Sequence, residues 1–335
     1  MADGPNALNS WESSGRSARH ARDPELERML RLLNDHLDKA RALLPRPAAP
    51  QMPVVLVVGC ARAGSTLLMQ WLADSGLVSY ATNLLSRFYK DPYIGALIHR
   101  VLFDLDHRGE VFPIKPARGE FVSELGRTRG ADAPHDFGYL WRNYFGFGEL
   151  QSELTRAPDA SGIAALRSDV GGMEQVFGKP VMLKAMELNW QIPLLRSIFP
   201  ESVFLFIQRD PAANAASLLR ARRSFYGDEG AWYSYKPAEY DALKELPPWE
   251  QAVAQVACTN RAVRAGLAGI PAEDAIDVRY EEFCANPAGM YARICRRLGN
   301  DKPYSGPIAF EASALHMDEQ LAQRTRSIID QLSTS

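Results

Sequence analysis

Pro53-Val-Val-Leu-Val-Val58 runs without a break into Gly59-Cys-Ala-Arg-Ala-Gly-Ser-Thr66, and Leu67, Leu68, Trp71 and Leu72 then recur at helical spacing as far as Gly76. A short, continuous, β-branched run predicts a strand buried on both faces of a parallel sheet, because such a strand has no solvent side to impose alternation. The glycine-bounded loop and the periodic stretch behind it complete a strand–loop–helix unit that stops at Gly76. A second unit reads the same way. Val203-Phe-Leu-Phe-Ile-Gln208 is followed by Arg209-Asp-Pro and a helix carrying Ala215, Leu218 and Leu219, with Asp210 and Pro211 suited to its cap and first turn. Pro180–Leu183 and Ala275–Val278 are two further strands. Apolar strands alternating with helices predict an α/β fold, a P-loop-like three-layer architecture with a mostly parallel central sheet and helices on both faces.

Outside that frame, residues 1–23 are rich in Gly, Ser, Asn and Arg without apolar period and read as a mobile, disordered tail. Leu26, Met29, Leu33, Leu37, Ala40 and Leu44 predict an amphipathic helix over 24–45, with Asp23 and Pro24 at its start. That stripe has two uses: packing on its own domain, which the three heptads available favour, or a homodimer seam. A proline-rich connector opens the main domain, 46–335. Residues 80–160 mix aromatics, Pro, Gly and charges without clear strands, as an inserted acceptor-side region would.

The chain has 335 residues, with 38 Lys+Arg against 40 Asp+Glu, a balance that argues against nucleic acid as a partner. Its longest apolar run, Val54–Val58, falls far short of the roughly 20 residues of a spanning helix, and the polar first residues lack the apolar core of a secretory signal. These readings predict no transmembrane segment and a cytoplasmic location. Cys60, Cys258, Cys284 and Cys295 are widely spaced, which predicts neither a disulfide framework nor a metal site.

Gly59 to Thr66 has the spacing of a Walker A loop, in which backbone amides and a helix N-terminus converge on phosphate oxygens. Ser65, however, stands where that loop's lysine would reach a triphosphate, and the loop's cation is Arg62. This disfavours a P-loop nucleotide kinase, which stays as an alternative beside a non-catalytic nucleotide-binding protein. Arg209 at a strand end and Ser217 two turns into the next helix face one anion together. A ligand with a 5′ anionic group and a separate ribose phosphate satisfies both units.

These residues resemble the sulfotransferase family. Gly59 to Leu68 is similar to its 5′-phosphosulfate loop, commonly Pro-(Lys/Arg)-Ser-Gly-(Ser/Thr)-Thr, although Ala61 and Ala63 replace the usual proline and serine. Gln208-Arg-Asp-Pro211 with Ser217 resembles the family's 3′-phosphate motif, and Val278-Arg-Tyr-Glu-Glu-Phe283 resembles its Tyr-Glu-Asp-Leu segment. The resemblance implies 3′-phosphoadenosine 5′-phosphosulfate as donor, adenosine 3′,5′-bisphosphate as product, and a hydroxyl of a small molecule, lipid or sugar as acceptor. It implies donor contacts from Gly59, Arg62, Ala63, Gly64, Ser65, Thr66, Leu67, Arg209, Ser217 and Tyr280. By resemblance and charge, Arg62 and Lys184 stabilise the sulfuryl and bridging oxygens. The Pro134-His-Asp-Phe-Gly-Tyr139 segment is similar to one in bacterial members and offers His135 and Asp136 as general base, with Glu187 and Glu120 in reserve. Asn83–Tyr89 and Pro92–Gly95 resemble acceptor-side segments of the same subgroup. His20 and His36 precede the fold and read as solvated.

Overall fold

The computed structural model describes residues 15–113, 121–312 and 319–333. Glu120, a reserve base, lies outside them. Five strands form one sheet: β1 (Val55–Gly59), β2 (Ser79–Tyr80), β3 (Val181–Lys184), β4 (Val203–Gln208) and β5 (Ala275–Arg279). Their spatial order is β2-β3-β1-β4-β5, and every pairing is parallel. The four strands read from the sequence fall where expected. The edge strand β2 is two residues long, too short to leave a pattern.

Strand alternation sorts the core into two layers. Val55, Val57, Leu205 and Ile207 pack with Leu68 and Trp71 of α2 (Ser65–Ser75; α1 is Pro24–Ala40). Leu56, Val58, Phe204 and Phe206 pack on the other face with Leu166, Val170 and Met173 of α3 (Ala160–Phe177). Both faces are therefore covered, which is why Val55 to Val58 are all fully buried. The chain passes from β1 to β2 and β3 on one side, then to β4 and β5 on the other. The crevice where this order reverses lies at the carboxyl end of β1, between β3 and β4, and that is where an open parallel sheet binds ligands.

Around the sheet, α4 (Pro211–Tyr226) follows β4, α5 (Pro248–Leu267) packs on α4, and α6 (Glu319–Ser333) adds Ile328 and Ile329 to the same small apolar cluster. On α6 Thr325 is buried while Gln323, Arg324 and Arg326 are exposed, and Arg324 pairs with Glu250 at 2.6 Å. Among the described residues no helix is long and apolar enough to cross a membrane. All four cysteines are buried thiols, and burial pushes Cys60 up to about 12.

The N-terminal region departs from the sequence reading in two ways. Residues 15–23 pack on the fold: the Ser17 amide donates to the Phe225 carbonyl at 2.7 Å, and His20, read as solvated, is buried and stacked on Phe225 at 4.0 Å. Its Nε2 lies 3.0 Å from the Ser224 hydroxyl. Helix α1 starts as expected, with Asp23 accepting from the Glu25 and Leu26 amides. It docks, however, through Leu30 and Asn34, while Leu26, Met29 and Leu33 of the expected stripe stay exposed. Asn34 sets this face, donating to the Arg87 carbonyl at 2.8 Å and accepting from the Lys90 amide at 2.9 Å.

The 80–160 region also holds two small hairpins that the sequence pattern hides, Ser123–Glu124 with Arg127–Thr128 and Gly146–Phe147 with Leu154–Arg156.

Candidate active site

The loop after β1 is fixed at both ends by groups distant in sequence. At its start, the Gly59 amide donates to Asn189 Oδ1 at 3.0 Å, and the Gly59 carbonyl accepts from Asn189 Nδ2 at 2.9 Å. Gly59 has φ +135°, and a Cβ there would run into the Ile207 carbonyl. Asn214 Nδ2 donates to the Ala61 carbonyl at 2.8 Å. Neither asparagine carries a sequence signal, because each is an isolated polar residue whose partner appears only on folding. At the loop's end, Gly64 has φ +105° and carries the Tyr280 ring where a Cβ would stand. Gly64 is also the N-cap of α2 and offers no side chain to the first-turn amides, which stay available to an anion.

Three strand tips converge on this loop. Arg62, at φ +67°, donates from Nε to Ser217 Oγ at 3.4 Å, joining the β1 loop to α4. Arg209, at the end of β4, places its guanidinium 4.8 Å above the Tyr280 ring. Lys184, at the end of β3, lies 2.8 Å from the Asp136 carboxylate. Burial holds the Arg62 guanidinium below its ordinary range, with Arg220 and Arg209 pushing the same way and Tyr233 and Asp136 opposing. Like charges gathered in a desolvated cleft favour a bound anion.

The two candidate bases separate on geometry. His135 Nδ1 accepts from the Phe137 amide at 2.9 Å, so the neutral imidazole carries its proton on Nε2 and has no lone pair left to offer. Burial also lowers its pKa, with Asp136 opposing and Arg87 and Lys184 adding to the fall. Asp136 has a half-exposed carboxylate facing the cleft. Glu187 pairs with Arg142 at 2.7 Å and also borders it.

The charged groups among these line one cleft of about 1160 Å³. Arg62, Gly64, Ser65, Thr66, Leu67, Arg209, Ser217 and Tyr280 border it, as do Lys184, His135, Asp136 and Glu187. Gly59 and Ala63 do not: Gly59 is bound to Asn189, and Ala63 is fully buried, its amide donating to the Cys60 carbonyl at 3.3 Å. Of the two segments read as acceptor-side, Asn83, Leu84, Ser86 and Arg87 reach the cleft, whereas Pro92–Gly95 belongs to a buried helix. Tyr233 and Tyr235 reach it too. Trp232 instead packs against Tyr240.

The fold is a parallel α/β sheet whose β1 loop, without a lysine, lies at the switch point and is faced by Arg209 and Ser217. The chain belongs to the sulfotransferase family, whose model matches residues 53–303. Its fold is similar to that of sulfotransferase STF9 from Mycobacterium avium, with 14% identity and TM-score 0.50 over 95% of this chain and 79% of that one. Sulfotransferase STF1 from Mycobacterium tuberculosis H37Rv aligns at 12% identity and TM-score 0.48, covering 90% of this chain and 76% of that one. A sulfotransferase from Alicyclobacillus acidocaldarius aligns at 17% identity and TM-score 0.43, over 83% and 92% of the two chains. Comparison with curated proteins finds no match.

Proposed function

We propose that this chain transfers a sulfuryl group from 3′-phosphoadenosine 5′-phosphosulfate to the hydroxyl of a small-molecule, lipid or sugar acceptor. The observation that carries the reading is that Arg62 and Ser217, from separate strand–helix units, meet in one cleft with Arg209 and Lys184. Such a set fits a ligand with two anionic ends, and it suits a 5′ group shorter than a triphosphate because no lysine stands at position 65. The cleft volume exceeds the roughly 300–1,000 Å³ of a site for one drug-sized ligand, which leaves room for donor and acceptor together.

In this reading the first-turn amides of α2, with Ser65 and Thr66, hold the 5′ group, while Arg209 and Ser217 hold the 3′-phosphate against Tyr280. Asp136 takes the acceptor proton. An acceptor oxygen–sulfur bond forms as the bond from sulfur to the bridging oxygen breaks, and the electron pair leaves on a phosphate oxygen of adenosine 3′,5′-bisphosphate. Arg62 offsets that developing charge. Proton arrival on Asp136 weakens its pair with Lys184 and releases the ammonium toward the sulfuryl oxygens. His135 donates from Nε2 and orients.

The test is incubation with donor and a panel of hydroxyl compounds, read by mass spectrometry. The gain of one SO₃ group by an acceptor, with bisphosphate released, is the expected result. Magnesium-dependent phosphate release from ATP, with no sulfuryl transfer, would instead assign a kinase.

A further inference from the structure

The cleft carries more positive charge than the donor uses. Arg62, Lys184, Arg209 and Arg220 surround the groups assigned to the donor, yet five more arginines, Arg16, Arg22, Arg87, Arg127 and Arg142, line the same cleft from elements outside the sheet, and of these Arg142 is paired with Glu187. Arg16 and Arg22 flank the packed N-terminal turn, and Arg127 follows the tight turn of the 123–128 hairpin. Arg16 and Arg127 share one aromatic ring, with their guanidinium carbons 5.6 and 5.5 Å from the centre of Phe225.

Of the nearby carboxylates, Glu124 and Asp23 are committed elsewhere, and Glu27 faces Arg22. Glu124 is bound by Arg19 and lies 3.4 Å from Arg129. Glu27 accepts from the Tyr139 hydroxyl at 3.1 Å and stands 3.8 Å from Arg22. Asp23 caps α1. Arg16 Nε is buried without a hydrogen-bond partner. Burial holds the Arg127 guanidinium below its ordinary range, and Arg16 and Arg22 add to the fall while Tyr233 and Glu124 oppose it. The turn that carries Arg127 lies over the phosphate loop: a Cβ on Gly126 would stand 3.0 Å from Arg62 Nη1 and 3.6 Å from Thr66 Oγ1.

Building on the sulfuryl-transfer reading, we infer that Arg16 and Arg127 form an acceptor subsite for a carboxylate, sulfate or phosphate, so that the acceptor is a hydroxyl compound bearing an anionic group. Planar, permanently charged guanidiniums are the side chains suited to such groups. The anion relieves their mutual repulsion and anchors the acceptor beside the loop where its hydroxyl reacts.

The experiment is calorimetric titration of phenyl phosphate, with phenol as the uncharged control, into protein saturated with adenosine 3′,5′-bisphosphate. Saturation blocks both donor phosphate sites. Phenyl phosphate is expected to bind the parent protein at least tenfold more tightly than phenol. Arg16→Gln and Arg127→Gln should each erase most of that difference while leaving bisphosphate affinity within about twofold. The inference is overturned if phenyl phosphate and phenol bind alike, or if the substitutions leave the preference intact. It is also overturned if they weaken the bisphosphate itself by tenfold, which would assign the cluster to the donor. Failure of the parent protein to bind bisphosphate at all would sink the sulfuryl-transfer reading, a result distinct from each of these.

Discussion

Arg62 Nε stands 3.4 Å from Ser217 Oγ, although the two residues are 155 positions apart and belong to different strand–helix units. That contact spans the crevice between β1 and β4, so one residue touches both ends of the proposed donor site. If Arg62 offsets charge on the leaving phosphate, its loss acts in the transition state more than in the ground state. Arg62→Ala should therefore lower kcat by about 10²- to 10³-fold with a much smaller change in donor KM. Steady-state kinetics with a responding acceptor check this, and a pure KM effect would contradict it.

Gly64 is a position where backbone and packing both demand glycine, with φ +105° and the Tyr280 ring in the space of a Cβ. Gly64→Ala should destabilise the protein by about 1–3 kcal/mol and weaken adenosine 3′,5′-bisphosphate. Combining it with Tyr280→Ala removes the clash but not the strain. A double-mutant cycle by urea denaturation should then show a coupling of at least about 0.5 kcal/mol, and strict additivity would refute the contact.

Asp136 and His135 are neighbours with opposite hydrogen-bond roles, one an acceptor facing the cleft and the other with its Nδ1 lone pair spent on the Phe137 amide. Asp136→Asn should cost about 10²- to 10⁴-fold in kcat and leave bisphosphate binding nearly unchanged. His135→Gln should cost clearly less. Single-turnover rates compare the two, and a larger loss at His135 would return it to the role of base.

How much of this was legible beforehand follows from what each residue announces locally. The strands β1, β3 and β4 are nearly continuous apolar runs, so burial on two faces is written into them, whereas β5 alternates, with Ile276 and Val278 buried and Asp277 and Arg279 exposed. The loop and Arg209–Ser217 could be found because glycine spacing and a strand-end arginine carry their own geometry. Asn189 and Asn214 could not, since a lone asparagine means nothing until folding places the backbone of Gly59 or the carbonyl of Ala61 beside it. The 123–128 hairpin turns through Leu125 and Gly126, both at positive φ, and leucine is not a residue from which such a turn is read. Helix α1 misled because Leu26, Met29 and Leu33 form the more apolar stripe, whereas the docking face is chosen by the hydrogen bonds of Asn34.

His20 ties the N-terminal segment to Phe225 as a neutral ring, and burial holds its pKa below the ordinary value. Arg127, Arg19 and Arg16 add to the fall and Glu124 opposes it. The undocked segment therefore binds a proton more readily than the docked one. The docking contribution is fully present above about pH 6.5 and is lost as the pH falls from there through the folded-state value. Amide exchange of residues 15–23, corrected for its intrinsic pH dependence, should lose protection across that window, and His20→Gln should abolish the effect. The same loss in the variant would point to another group.

The central claim is that two strand tips hold opposite ends of one doubly phosphorylated nucleotide. Calorimetry with adenosine 3′,5′-bisphosphate and adenosine 5′-monophosphate tests it most directly, on the parent protein and on Arg209→Ala. The account predicts that the bisphosphate binds the parent at least about tenfold more tightly and that Arg209→Ala brings the two ligands to similar affinity. Equal affinities in the parent, or a bisphosphate preference that survives the loss of Arg209, would contradict it.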